Sequence, residues 1–324
     1  MRIGAWIAVL LVSAATSIGG PASAQGEYPN KLIKVVVPYP AGGIVDTIAR
    51  AVTERLSVTW GQPIVVEAKP GANSNIGTEQ VALARPDGYT WLFTGPAFMA
   101  NPRFYKNLSW SEKSFVGIGI AVWAPSVMVL HPSTPAKTVG EFVALAKAKP
   151  GEFNFGNPSV GSSQHLNAMV LFDQTGIRLT DVQYRGQPPL ILDLLENRVH
   201  MTLSSTGLIA QHVKEGKLRA LAIVGKDRSE QLPEVPTFAE AGFPAANVVP
   251  WYGFLAPAAT PRPIVDKIVA GINAAVGEPE TRKRLEAMGV AAARPMNADE
   301  IAKTIAADAA TFAKVIADAN IKLE

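Results

Sequence analysis

Apolar and polar positions along the chain predict strands that alternate with helices. Residues 32–37 are a β-branched apolar run, which is typical of a strand buried on both faces. After a turn, apolar residues recur at Ile48, Val52 and Leu56 with helical spacing. Further strands are predicted near residues 64–67, 89–94, 126–131, 153–155, 182–184, 199–203, 220–224 and 248–255. Further helices are predicted near residues 76–84, 139–148, 163–174, 188–197 and 208–214, and from 261 to the end with breaks at Gly277 and Pro295. This alternation favours βαβ units with parallel sheets, and therefore an α/β fold.

The order of these elements predicts two lobes that the chain crosses twice. The strand near residues 126–131 is followed by Pro-Ser-Thr-Pro at residues 132–135, a segment whose prolines interrupt helices and strands. The segment at residues 248–255 is predicted to be a return strand. We therefore expect residues 25–131 and 250–324 to form one domain and residues 132–249 to form a second, with a ligand cleft between them.

The first 24 residues have the pattern of a secretory signal peptide. Met1 and Arg2 give a basic start, residues 3–18 an apolar core, and Ala22-Ser23-Ala24 a small-residue cleavage site. The apolar core is short for a membrane span and is followed by Gly-Gly-Pro. The chain has no cysteine, which excludes a disulfide framework. We predict cleavage near Ala24 and a periplasmic location.

The charge balance argues against nucleic acid or a membrane surface as a partner. Removing Arg2 from the 30 basic residues leaves 29 against 27 acidic residues, a balance near +2. A balance this even does not indicate nucleic acid or a membrane surface as the partner. The remaining length, roughly 300 residues, agrees with about two domains.

Two glycine-rich turns are candidate anion sites. The first runs from Pro38 to Asp46 between the first strand and the first helix, and the second contains Gly161, Ser162 and Ser163 before another helix. Glycines allow a close backbone approach, and the uncovered N–H groups of a helix start attract an anion. A single turn of this kind is more often a plain helix cap. One turn in each lobe favours a clamp for a carboxylate.

Ser162 and His165 raise the alternative of a secreted serine-type hydrolase. The two lie three residues apart on one helix start, and the chain lacks a Gly-x-Ser-x-Gly elbow around Ser162. A histidine in the first turn faces the positive end of the helix dipole, which favours its neutral form. We expect His165 to pack or to hydrogen bond to a ligand, and we predict that the protein is not an enzyme.

No motif indicates a metal or a cofactor. His131, His165, His200 and His212 form no pair at i and i+4, and no His-Glu-x-x-His occurs. Gly117-Ile118-Gly119 lacks the third glycine of a dinucleotide fingerprint, and no Walker lysine motif is present.

Loops after other predicted strands supply further candidate ligand contacts. In open α/β sheets, ligands bind beyond the carboxyl ends of the strands. The residues selected on this ground are Phe98, Tyr184, Ser204, Thr206 and Trp251. Packing between the domains is the alternative role for Phe98, Trp251 and Tyr252.

A series of short motifs occurs in order along the chain and indicates a family. They lie at residues 28–29, 33–40, 42–43 with 46, 61–67, 70–72, 75–77, 86–90, 101–102, 161–166, 184–186, 216–222, 232–237, 251–253 and 256–257. Through these motifs together, the chain resembles the substrate-binding proteins of tripartite tricarboxylate transporters, the Bug family of solute receptors.

The resemblance implies a monomeric periplasmic receptor with a type II-like, two-lobed periplasmic binding protein fold. Such a receptor closes on a small carboxylate without cofactor or metal and serves a membrane permease; signalling through a sensor protein is an alternative use. The family's carboxylate clamp, carried over to this chain, consists of Tyr39, Ala41, Gly42, Gly43 and Asp46 on one side and Ser162, Ser163 and His165 on the other. Asp46 is expected to orient the turn or a bridging water, since a carboxylate does not contact an anion directly.

The chain departs from the family at three places that bear on the ligand. Ile44-Val45 replaces small polar residues, the segment 96–99 is Pro-Ala-Phe-Met, and Ser204-Ser205 replaces an acidic or Asn-containing loop. Ile44, Phe98, Met99 and Trp251 would make the distal pocket apolar. We therefore expect an aromatic or alkyl carboxylate as the ligand, and not citrate.

Overall fold

The computed structural model describes residues 28–318 except residues 159 and 247, so the predicted signal peptide lies outside the described residues. A short 3-10 turn at Glu112–Ser114 precedes the fourth strand. In chain order, the other elements are β1 (Ile33–Val37), α1 (Ile44–Trp60), β2 (Ile64–Ala68), α2 (Asn75–Ala82), β3 (Thr90–Thr94), α3 (Pro96–Phe104), β4 (Phe115–Trp123), β5 (Ser126–Leu130), α4 (Val139–Ala148), β6 (Asn154–Asn157), α5 (Ser163–Thr175), β7 (Thr180–Gln183), α6 (Gln187–Leu195), β8 (Met201–Ser205), α7 (Thr206–Lys214), β9 (Arg219–Val224), β10 (Trp251–Pro257), α8 (Arg262–Gly277), α9 (Pro279–Ala287), β11 (Ala291–Ala292) and α10 (Ala298–Asp318).

Within the described residues, the strands form two sheets, one in each lobe. The sheet of the first lobe has the order β11-β4-β10-β3-β1-β2, and that of the second lobe has the order β7-β6-β8-β5-β9. The predicted α/β fold is confirmed, but the expected parallel pairing holds for only part of each sheet, because both sheets are mixed. β10 runs antiparallel to β3 and β4, and β5 runs antiparallel to β8 and β9. Parallel pairing requires a helical crossover, whereas β5 and β10 enter their sheets directly from the other lobe.

The described chain passes between the lobes after β4 and again before β10. The two crossing segments touch, because the Ala124 N–H donates to the Pro250 carbonyl over 2.8 Å. The predicted boundary between residues 131 and 132 is corrected by one strand, since β5 pairs with β8 and β9 of the second lobe. An apolar run predicts a strand but carries no information about which sheet it joins, and the breaker at residues 132–135 is a loop inside the second lobe.

Three elements of the first lobe were absent from the sequence prediction: β4, α3 and the two-residue strand β11, which lies in a segment predicted to be helical. β4 contains Gly117 and Gly119, which interrupt its apolar pattern. A Cβ on Gly119 would lie 2.6 Å from Cγ2 of Ile272, so this glycine allows α8 to approach the sheet closely. α3 begins with Pro96, whose fixed φ suits the first helical position.

The start of α5 is fixed against the first lobe. Leu166 is fully buried in the hydrophobic core of that lobe, although α5 belongs to the second. The Asn167 side chain is 1% exposed, donates to the Val248 carbonyl over 2.8 Å and accepts the Val248 N–H over 2.8 Å. The two lobes therefore pack together beside the turn that precedes α5. No helix among the described residues has the length and apolar character needed to span a membrane.

Candidate functional site

A cavity of about 180 Å³ lies between the two lobes. Its wall consists of Tyr39, Asn73, Pro96, Ala97, Ala100, Asn101, Phe104 and Tyr252 from the first lobe and Val160, Gly161, Ser162, Ser163 and Gln164 from the second. No lining residue carries a charged side chain, so any ionic ligand must be held by dipoles and neutral donors.

The turn before α5 presents the positive end of a helix to this cavity. Ser162 is the N-cap, and its Oγ accepts the His165 N–H over 3.2 Å. Gly161 has a φ of 77°, and its N–H donates to His165 Nδ1 over 3.2 Å. Within the described chain, the backbone N–H groups of Ser163 and Gln164 have no acceptor, and the first turn holds no acidic residue. These two groups are available to an anion.

His165 supports the turn and does not form a nucleophile–base pair with Ser162. The imidazole is 5% exposed, and burial lowers its pKa against the opposing charge of Asp181. Because Nδ1 accepts the Gly161 N–H, the ring proton resides on Nε2, which lies 3.8 Å from Asp181 Oδ2. Ser162 Oγ contacts the backbone N–H of His165. The described geometry therefore lacks the hydrogen bond through which a histidine activates a serine.

The first glycine turn is closed by its own carboxylate. Asp46 is 2% exposed, and its Oδ2 accepts the Gly42 N–H over 3.0 Å. Arg50 donates to both carboxylate oxygens, over 2.9 and 3.0 Å. These Arg50 hydrogen bonds are the largest cause of the lowered pKa of Asp46. Asp46 thus orients the turn from within the protein.

The predicted members of the first turn differ in their relation to the cavity. Tyr39 lines it, whereas Ala41, Gly42, Gly43, Ile44 and Asp46 do not. Ile44 is 45% exposed at the start of α1. The structure therefore places Ser162, Ser163 and Tyr39 together at the cavity and leaves the rest of the predicted first turn outside its wall.

Two tyrosines provide neutral donors. Burial is the largest cause of the raised pKa of Tyr39, and hydrogen bonding from Thr94, Gly95 and Ala97 partly opposes it. Burial also raises the pKa of Tyr252, with a smaller contribution from Tyr39. Both phenols are protonated at neutral pH and can donate to a carboxylate.

α3 forms an apolar wall that reaches the other lobe. Pro96, Ala97, Ala100 and Phe104 all line the cavity. A Cβ on Gly161 would lie 2.8 Å from Cε2 of Phe104, so the phenyl ring packs directly on this glycine across the cleft. Phe104 and Gly161 thus form one edge of the cavity from both lobes.

Five predicted contact residues lie outside the cavity wall. Phe98 is 1% exposed in the first core and stacks on Trp110 at 5.5 Å. Trp251 borders a separate cavity of about 10 Å³. Tyr184 donates to Asp193 over 2.7 Å, and Ser204 donates to Gln187 over 2.7 Å. Oγ1 of Thr206 is buried without a partner among the described residues.

Met99, which the sequence also assigned to the pocket, is 1% exposed in the first core. Once residues 96–104 are treated as a helix, their spacing separates the two faces. Ala97, Ala100 and Phe104 fall on one face and Phe98 on another. The sequence signal for this helix is Pro96 directly after Gly95 at a strand end, which is a helix-start pattern.

Asn73 and Asn101 were not among the predicted contacts. Asn101 is fully buried, and its Nδ2 donates to the Asn73 carbonyl over 2.6 Å and to Asn75 Oδ1 over 2.9 Å. Asn73 Nδ2 in turn donates to Asn101 Oδ1 over 3.0 Å. Ala72, Asn73 and Ser74 have φ values of 46°, 51° and 72°. The pattern of residue types gave no sign of this left-handed run.

Two α/β lobes, a double crossing and a neutral cavity between them define a solute-binding protein. Known proteins agree with this class and give it a family. The profile of the "Tripartite tricarboxylate transporter family receptor", TctC, matches residues 48–321. The chain belongs to this family of solute-binding receptors.

Relatives and solved structures match over nearly the whole chain. A "UPF0065 protein in tcbD-tcbE intergenic region" from a Pseudomonas sp. is 34% identical over 89% of this chain and 85% of its own length. "Protein BugT" from Bordetella pertussis is 32% identical over the full length of both chains.

Three solved structures are similar in fold. "Periplasmic binding protein BugD" has a TM-score of 0.75 and 30% identity, covering 92% of this chain and 100% of its own. R. palustris Rpa4515 with adipate has a TM-score of 0.78 and 28% identity over 91% and 99% of the two chains. MatC from Rhodopseudomonas palustris with bound malate has a TM-score of 0.74 and 28% identity over 89% and 100%.

Proposed function

We propose that this protein is a periplasmic receptor that captures a small organic carboxylate and delivers it to a permease of the tripartite tricarboxylate type. The observation that carries the proposal is the start of α5, whose uncovered N–H groups border a neutral cavity between the lobes. The matched family and the carboxylates bound in two similar structures support it. Residues 1–24 supply the export signal.

The carboxylate would be held without a basic side chain. Ser163 and Gln164 offer backbone N–H groups at the positive end of α5. Tyr39 and Tyr252 are neutral phenols whose pKa values are raised further by burial; both border the same cavity and are candidate hydroxyl donors. A single carboxylate suits this set of dipoles better than the three carboxylates of citrate, which would lack counter-charges.

The rest of the cavity favours an alkyl or aromatic ligand body. Pro96, Ala97, Ala100, Phe104 and Val160 provide the apolar surface. Transfer of apolar ligand atoms to this surface contributes roughly 25 cal/mol per Å². A bound acid would contact both lobes and so stabilise the closed arrangement in which Phe104 packs on Gly161.

A thermal-shift screen of the mature protein tests the proposal. Hexanoate, benzoate, adipate, malate and citrate are each titrated, and hits are measured by calorimetry. At one hundred times its Kd, a ligand adds about 2.7 kcal/mol to the free energy of unfolding. We expect hexanoate or benzoate to stabilise the protein. Stabilisation by citrate alone would contradict the ligand class, and no response to any organic acid would contradict the receptor function.

A further inference from the structure

The loop before α2 keeps an unfavourable backbone conformation beside the cavity. Ala72, Asn73 and Ser74 are consecutive non-glycine residues with φ values of 46°, 51° and 72°. L-residues pay a steric penalty in this region, which glycine does not. Side chains retained at such positions are over-determined by their surroundings and cluster at functional sites. Of these three residues, Asn73 lines the cavity.

Asn101 fixes the orientation of the Asn73 side chain. Its Nδ2 is identified as a donor because it lies 2.6 Å from the backbone carbonyl of Asn73. Its Oδ1 is therefore an acceptor, and the Asn73 atom 3.0 Å away must be the amide nitrogen. Asn101 is fully buried, so it holds this arrangement from the protein side.

The hydrogen bond to Asn101 uses one N–H of the Asn73 carboxamide, which leaves its second N–H and its carbonyl oxygen for a ligand. Among the described residues, neither Oδ1 nor the second N–H of Asn73 has a partner. Asn73 is on the wall supplied by the first lobe, whereas the N–H groups of Ser163 and Gln164 lie on the wall supplied by the second. The part of a ligand that extends beyond a carboxylate bound at α5 therefore shares this cavity with Asn73.

We propose that Asn73 is a specificity-determining residue that recognises a neutral hydrogen-bonding group, a hydroxyl or a carboxamide, in the part of the ligand beyond its carboxylate. This inference rests on the proposed function. A hydroxyl or carboxamide both donates and accepts, and so matches the free N–H and carbonyl of Asn73. A second carboxylate only accepts, and the cavity wall provides no cationic side chain for it.

Calorimetry with matched acids tests this assignment. The probes are hexanoate, 6-hydroxyhexanoate and adipate, together with the corresponding five-carbon set. We expect the wild-type protein to bind each hydroxy acid about three- to tenfold more tightly than the plain acid of the same length, the effect of one or two neutral hydrogen bonds. In the Asn73→Gly variant, this ratio should fall to within about twofold of one.

Asn73→Gly is expected to fold, because glycine adopts the same left-handed conformation freely. Asn197→Gly is the matched control, since Asn197 is also exposed with a φ of 58° and lies outside the cavity wall. It should leave the ratio unchanged.

Four results would overturn the inference. A wild-type protein that does not prefer the hydroxy acids, or an Asn73→Gly variant that keeps the wild-type ratio, contradicts it while leaving the carboxylate receptor intact. Tighter Asn73-dependent binding of the dicarboxylate assigns the residue to another ligand class. Absence of binding by all these acids overturns both the inference and the proposed function.

Discussion

The helix starts at α1 and α5 both follow a glycine in the left-handed region, but their charges differ. Gly42 and Gly161 have φ values of 76° and 77°. In α1, the buried carboxylate of Asp46 lies in the first turn and pairs with Arg50. In α5, the first turn has no acidic residue, and Ser162 caps it with a neutral hydroxyl.

This difference indicates that an external anion would bind at the start of α5 and not at the start of α1. The positive end of α1 already faces a carboxylate that belongs to the chain, whereas α5 has none. We infer that the start of α5 is the main anchor for a carboxylate, and that the first lobe contributes the hydroxyls of Tyr39 and Tyr252 and the apolar wall.

Gly161→Ala should have the largest effect. The alanine methyl group would lie 2.8 Å from Cε2 of Phe104, and the alanine backbone would have to adopt a φ of 77°. Overpacking costs about 1–3 kcal/mol and the left-handed conformation about 1–2 kcal/mol. The backbone penalty is the same with and without ligand, so only the clash with Phe104 across the cleft affects binding, and we expect carboxylate affinity to fall about five- to hundredfold by calorimetry.

Gly176→Ala is the matched control for this substitution. Gly176 ends the same helix with a φ of 69°, but a Cβ there would meet nothing within 4 Å. It should lower the free energy of unfolding by about 1–2 kcal/mol and leave affinity unchanged. Equal losses of affinity in both variants would show that contact with Phe104 is irrelevant to binding.

Asp46→Asn should weaken folding more than ligand binding. The change removes the charge that Arg50 contacts, and a hydrogen bond to a charged group contributes about 1.5–3 kcal/mol. We expect a loss of about 2 kcal/mol by urea denaturation at pH 7. Asp266→Asn, which breaks an exposed pair with Arg262, should cost under about 1 kcal/mol. Loss of ligand affinity with unchanged stability would instead make the first turn a binding element.

The contribution of Asp46 should depend on pH. Its pKa is lowered in the folded protein from an ordinary value near 3.8, with Arg50 as the main cause. Stability from a lowered carboxyl pKa is present above the unfolded value and is lost as pH falls through the folded value. The difference in unfolding free energy between the wild type and Asp46→Asn should therefore shrink on acidification below pH 3.8. A constant difference between pH 7 and pH 3 would contradict this ion pair.

Ser162→Ala separates the cap from the ligand site. Loss of an N-cap hydroxyl costs about 1 kcal/mol, and Thr138→Ala at the start of α4 should cost the same. We expect only Ser162→Ala to reduce carboxylate affinity as well, because Ser162 lines the cavity. If the wild-type protein hydrolysed ester substrates and the variant did not, the serine hydrolase alternative would replace the receptor.

The sequence was sufficient for the α/β fold and for the turn at Ser162. Apolar runs and helical spacing are local patterns, so most strands and helices could be predicted within a few residues. The Gly161–His165 motif was identified by its residue types, and Ser162 and Ser163 lie on the cavity wall. The sheet that β5 joins could not be predicted, because strand pairing depends on contacts far apart in the chain.

The apolar wall could not be assigned correctly from residue types alone. Phe98, Met99 and Trp251 are as apolar as a ligand pocket requires, but all three are buried in the core. Phe98 and Met99 lie on the buried face of α3, and Trp251 lies on β10 inside the sheet. Asn73 and Asn101 lie 28 positions apart and meet only in the folded chain. A left-handed run without glycine has no sequence signature.

The smallest expected effect concerns Ile44, which the sequence analysis assigned to the distal pocket. Ile44 is 45% exposed and does not line the cavity, so Ile44→Ala should change hexanoate affinity by less than about twofold.

Val160→Ala in the second turn is its counterpart. Val160 lines the cavity and is partly buried, so losing about one buried methylene equivalent should weaken hexanoate binding about two- to fivefold. A larger effect at Ile44 than at Val160 would show that the first turn determines ligand specificity. The ligand body would then have to extend past Tyr39 toward α1.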